Sequence, residues 1–210
     1  MKKLLFAVTA MVALSLLAPG SGFAEPTHPN EVGLYFENED GTGPTGAFGI
    51  GIPLNVYLVL TRPTDPMTGT PYPTINAFEC RLDFNPIGNM FKLGEFYPEN
   101  SINVGDNTNI GLGYLEYVVG FAADVPVTDE SVMLVRIMFM HTAPGVIEVT
   151  LGPTEGGQSI PGEMAFQSVP GQLRIMYSMG GSHDAPVFLF EGIAIAVEEE
   201  SFGSVKALYR

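Results

Sequence analysis

The sequence has no tryptophan, a single cysteine and only three histidines. Without tryptophan, any stacking on sugar rings falls to tyrosine and phenylalanine. A lone Cys80 excludes an intramolecular disulfide, so the core must be held by burial, or with help from a metal or a partner. His28, His141 and His183 have no metal-ligand spacing and form no H-E-x-x-H pattern. Positive charge is also scarce: 9 Lys and Arg stand against 23 Asp and Glu, for a formal net charge of −14. Nucleic-acid affinity comes largely from basic patches, so this balance argues against such partners. It equally disfavours an anionic membrane surface. Long amphipathic helical patterns are missing, which argues against a βαβ architecture. Hydrophobic residues make up 46% of the chain, too many for general disorder.

The chain opens with Lys2 and Lys3, then an uncharged apolar run from Leu4 to Ala18. Pro19 to Gly22 break that run, and Gly22-Phe23-Ala24 places small residues at −3 and −1 of a cut after Ala24. This is the pattern of a secretory signal peptide over residues 1–24. A membrane span needs about 20 apolar residues, more than this run supplies. No cysteine follows the cut, which excludes a lipoprotein signal. The expectation is an exported protein with one domain over 25–195, then an acidic linker and short tail over 196–210. No second apolar run reaches membrane length.

Period-2 alternation recurs through the domain. In Ala77–Phe84, Phe78, Cys80, Leu82 and Phe84 share one face, and Glu79, Arg81 and Asp83 share the other. That strand has one dry and one wet side, and it buries Cys80. Leu54–Thr61 aligns Leu54, Val56, Leu58 and Leu60, and Tyr57 and Val59 suggest cover on its second face too. Val132–Met140 is apolar on both faces apart from Arg136, as a central strand would be. Weaker strand patterns lie at Val32–Phe36, Met90–Leu93, Ile110–Phe121, Val146–Leu151, Met164–Gln167, Leu173–Tyr177 and Val187–Phe190. Gly41–Gly51, Pro63–Pro73, Gly152–Gly162 and Gly180–Pro186 have turn composition. Nine or ten short strands between such turns predict an all-β fold, an antiparallel sandwich or barrel, with a sandwich of jelly-roll type as the expectation.

Three of these segments resemble the cohesin family of β-sandwich modules. Ile52-Pro53-Leu54-Asn55-Val56-Tyr57-Leu58-Val59-Leu60 is similar to a proline-bearing early strand of that family. Ala77–Phe84 followed by Asn85-Pro86 resembles its strand with an aromatic-Asp-Pro turn, with Asn85 at the aspartate position. Val132–Met140, with Ile137 and Phe139, resembles a later strand. The likeness spans about residues 50–150. It implies a non-catalytic module for protein binding or surface assembly. It supplies no residues for the partner face.

Catalytic constellations are hard to find. Ser159 lies in Gly157-Gln158-Ser159-Ile160-Pro161, which fails the G-x-S-x-G elbow at its last position. Ser182-His183-Asp184 are merely adjacent, whereas triad members meet in space. The expectation is therefore no enzyme and no required cofactor, with calcium as the one ion to consider. Ca²⁺ takes six to eight oxygens, and two acidic loops offer some. Glu37, Glu39 and Asp40 supply one; Asp106 and Asn109 supply the other. Neither completes an EF-hand loop, and both also suit solvated turns. At the far end, Ser201 can cap a short helix whose face carries Phe202, Val205, Leu208 and Tyr209, with Lys206 and Arg210 adding charge. Those six form a candidate partner-docking element. The predicted partners are a protein or an extracellular polysaccharide, with a carbohydrate-binding module as the alternative function and a secreted hydrolase third.

Overall fold

The structure, a computed structural model, describes residues 28–36, 45–108, 110–169 and 171–193. Its strands are β1 (Glu31–Phe36), β2 (Thr45–Gly49), β3 (Pro53–Thr61), β4 (Thr74–Asn85), β5 (Met90–Phe96) and β6 (Ser101–Asn103). There follow β7 (Tyr114–Pro126), β8 (Ser131–His141), β9 (Gly145–Gly152), β10 (Met164–Val169), β11 (Gln172–Ser178) and β12 (Pro186–Ile193). A single 3-10 turn, Ile110–Leu112, precedes β7. No described helix is long and apolar enough to cross a membrane. The signal peptide, the linker and the C-terminal tail lie outside the described residues.

Alternation sets the two faces of β3 and of the C-terminal half of β4. On β3, Leu54, Val56, Leu58 and Leu60 are buried while Asn55, Tyr57 and Val59 point outward. On β4 the buried row is Phe78, Cys80, Leu82 and Phe84, as their spacing predicts. The first layer runs β5-β8-β3-β1. The second is built on β4, which pairs with β7 along one edge. Along its other edge β10 takes the N-terminal half and β9 the C-terminal half. β12 and β2 extend this layer beyond β9, β6 extends it beyond β7, and β11 joins β10 to β1. Phe139 of the first layer meets Phe84 and Phe190 of the second edge-on, at ring separations of 5.7 and 5.4 Å. Each such buried aromatic or aliphatic side chain contributes roughly 1.5–3 kcal/mol.

The pairing is mixed rather than wholly antiparallel. β1 runs parallel to β11 and β2 parallel to β12. Early strands that enter different layers end beside late strands running the same way. β2 lies inside a stretch whose glycines predict turns; its backbone is recruited by β12. Ile110–Phe121 is not one strand: the chain turns at Gly113, with φ +86°, and β7 starts at Tyr114. The Asn85–Pro86 peptide is cis and closes β4.

Candidate functional site

The outer face of the second layer carries the most varied surface. β4 contributes Glu79, Arg81 and Asp83; β7 contributes Tyr114, Glu116, Val118, Gly120 and Ala122. One end of this face is ionic. Arg81 donates from Nε to Asp83 Oδ1 at 2.8 Å, pairs with Glu155, and lies 3.7 Å from Glu116 Oε1. Its guanidinium sits 4.1 Å from the centre of the Tyr114 ring. Burial raises the Asp83 carboxyl above its ordinary value, and Arg81 pulls the other way.

The 153–163 loop is pinned onto the middle of the face. Ser159 donates from both its backbone N–H and its hydroxyl to the Glu79 carboxylate, each at 2.8 Å. Glu79 is 4% exposed, so these donors offset the cost of burying a carboxylate. Glu155 N–H donates to Glu116 Oε1 at 2.7 Å. Ser159 is thus a loop anchor, which its motif could not reveal. Ser182, His183 and Asp184 form a turn closed by Ala185 N–H on the Ser182 carbonyl at 3.3 Å.

The other end is an open apolar groove of about 560 Å³. Ala77, Val118, Gly120 and Ala122 form its floor, and Ile102 and Val104 form a wall, 72 and 75% exposed. A cluster behind that wall holds it in place. Glu95 accepts from Lys92 Nζ at 2.7 Å, Tyr117 OH at 2.8 Å and Asn107 Nδ2 at 2.5 Å. The Lys92 ammonium also donates to the Asn107 carbonyl. Burial pushes the Tyr117 and Tyr97 phenols up, with Glu95 adding to the effect, so both stay protonated donors. Gly105 lets this loop lie on β7, because a Cβ there would sit 2.5 Å from the Glu116 carbonyl oxygen. Neither the wall nor its anchor was legible in the sequence: Ile102 and Val104 lie in a segment with no strand signal.

Of the residues expected to bind calcium, Asp106 alone is described. Its carboxylate accepts from Thr108 N–H and hydroxyl at 3.4 and 3.2 Å, the geometry of a turn. Glu37, Glu39, Asp40 and Asn109 lie outside the described residues, as do Phe202, Val205, Lys206, Leu208, Tyr209 and Arg210. Among the described residues no group of three His, Cys, Asp or Glu side chains is placed to hold a metal.

No family model matches the chain, and no curated protein does. Solved structures similar to it include cohesin modules. A type II cohesin domain from the cellulosome of Acetivibrio cellulolyticus aligns at 9% identity with a TM-score of 0.49, over 72% of this chain and 92% of that one. The second type II cohesin of that organism's adaptor ScaA scaffoldin aligns at 10% identity and 0.45, over 86 and 98%. A cohesin module from a Clostridium perfringens family 33 glycoside hydrolase gives 9% and 0.41, over 71 and 91%.

Proposed function

We propose that this is an exported, non-catalytic module that binds a partner protein and so takes part in a surface or extracellular assembly. The groove between β6 and β7 carries the reading. Its exposed wall residues Ile102 and Val104 and its apolar floor adjoin the Arg81 ion cluster. An apolar centre beside a polar rim is how protein interfaces are built, and exposed apolar patches mark such sites. The rim carboxylates Asp83, Glu116 and Glu155 all face Arg81. They are engaged in an ion cluster rather than opposed across a cleft as glycoside hydrolysis requires.

The test uses Gly120, where an added Cβ meets nothing within 4 Å. Gly120→Arg fills the groove without strain. The expected result is that immobilised protein captures a partner from the producer's extracellular or envelope fraction, and that Gly120→Arg and Ile102→Asp lose it at unchanged melting temperature. Equal capture by all three proteins overturns the reading.

A polysaccharide ligand is favoured by the exposed rings of Phe91 and Phe96 on the first layer, 57 and 43% exposed. Their neighbours Leu93, Met138 and Met140 offer few partners for sugar hydroxyls. Retention on polysaccharide affinity gels that Phe91→Ala abolishes would favour this second reading.

A further inference from the structure

The outer face of the first layer is apolar in an unusual way. β5 turns its charges inward: Lys92 and Glu95 are 14 and 11% exposed at the side chain. Phe91, Leu93 and Phe96 point out. Next to them on β8 lie Met140 and Met138, and next again on β3 lies Tyr57, all half-buried. At the β1 end this face is already covered, since Tyr35 OH donates to Met179 Sδ at 3.1 Å and Met179 packs over Gly33. Arg136 stands in the middle, its guanidinium 4.2 Å from the Phe96 ring centre. No described carboxylate pairs with it. On the same face Asn55 Oδ1 is buried without a donor. Such a surface fits an apolar segment that brings a carboxylate and a hydrogen-bond donor.

The chain carries such a segment. β12 ends at Ile193, and Gly192 lies so close to His141 that a Cβ there would be 2.5 Å from the imidazole. His141 ends β8 and pairs with Met90, the first residue of β5. The last described residues therefore lie at the His141 end of β8, where this outer face begins. Crossing one layer takes about 10 Å, and returning along β8 from His141 to Arg136 takes about 17 Å. Eight extended residues span about 27 Å. Counted from Ile193, that reaches Glu198, Glu199, Glu200 and Ser201. Past them come Phe202, Val205 and Leu208.

We propose that the segment after Ile193 folds back over β3, β8 and β5 of its own chain. A carboxylate of Glu198, Glu199 or Glu200 pairs with Arg136, and Phe202 and the apolar residues beyond it cover Met138, Met140 and the β5 rings. The proposal is independent of the groove, which lies on the other layer.

The test is a cysteine pair, Met138→Cys with Ser201→Cys, in the full chain; buried Cys80 does not compete. On mild oxidation the pair forms an intramolecular disulfide to the same extent at low and high protein concentration. A control pair, Val146→Cys with Ser201→Cys, stays reduced. Adding Arg136→Glu slows bridging several-fold, and Glu198→Arg, Glu199→Arg and Glu200→Arg together restore it. If Arg136→Glu does not fold, the first pair alone decides. Absence of a bridge overturns the proposal. A bridge that forms between copies overturns it too, and makes a second copy the occupant.

Discussion

Glu79 and Ser159, eighty residues apart in sequence, are joined by two hydrogen bonds of 2.8 Å. This pair fixes the loop that lies over β4, and removing half of it tests that role. Ser159→Ala keeps the backbone donor and loses the hydroxyl. A hydrogen bond to a charged group is worth about 1.5–3 kcal/mol, so urea denaturation should show a loss of that order. Amide exchange over residues 154–162 should speed up, with β7 and β8 unchanged.

Two glycines on the groove side should respond very differently. At Gly105 a Cβ meets the Glu116 carbonyl oxygen at 2.5 Å, and backbone cannot easily yield. Gly105→Ala should destabilise by about 1–3 kcal/mol. Gly120→Ala meets nothing within 4 Å and should stay within about 0.5 kcal/mol of the parent. Thermal melts of the two variants, side by side, measure the difference.

Acid should undo the cluster beneath β11. The Asp65 carboxyl is lowered to about 2, first by the Met67 backbone N–H and then by Arg174 and the Thr68 N–H. A depressed carboxyl stabilises the fold above its unfolded value near ~4 and loses that contribution as pH falls toward its folded value. Melting temperature should therefore drop between about pH 4 and pH 2, and less steeply in Asp65→Asn. A carboxyl NMR titration placing Asp65 at its ordinary value would contradict this.

Cys80 should be chemically silent. It is fully buried, and burial raises its thiol far above the ordinary range, with Glu79 adding to the shift. Thiolate is the reactive form. A thiol reagent should label the native protein at the rate of global unfolding, and at once in denaturant. Cys80→Ser should destabilise by about 1–3 kcal/mol, since it buries a hydroxyl.

Strands with strict alternation were legible in the sequence because a period of two leaves one face dry whatever the neighbours are. Leu54 to Leu60 and Phe78 to Phe84 are such cases, and their burial follows the pattern. β5 was legible only as a weak strand with no assigned face. Its charged Lys92 and Glu95 point in because Tyr117 and Asn107, distant in sequence, supply partners beside the neighbouring Tyr97. β6 left no trace, since three residues paired only to β7 carry no period of their own. Ser159 resembles only a failed catalytic motif, because nothing local announces the carboxylate it holds. The candidate site is thus a product of topology, whereas the core was written in alternation.

The parallel pairs at the ends of the chain carry one more consequence. Glu31 sits opposite Tyr177, and Thr45 sits opposite Leu189. Phe190 of the last strand also completes the aromatic contact with Phe139. No N-terminal portion can therefore close this core, and contacts so distant in sequence form slowly. Closure of the fold therefore waits for residues 172–193, whose strands β11 and β12 supply the parallel partners of β1 and β2.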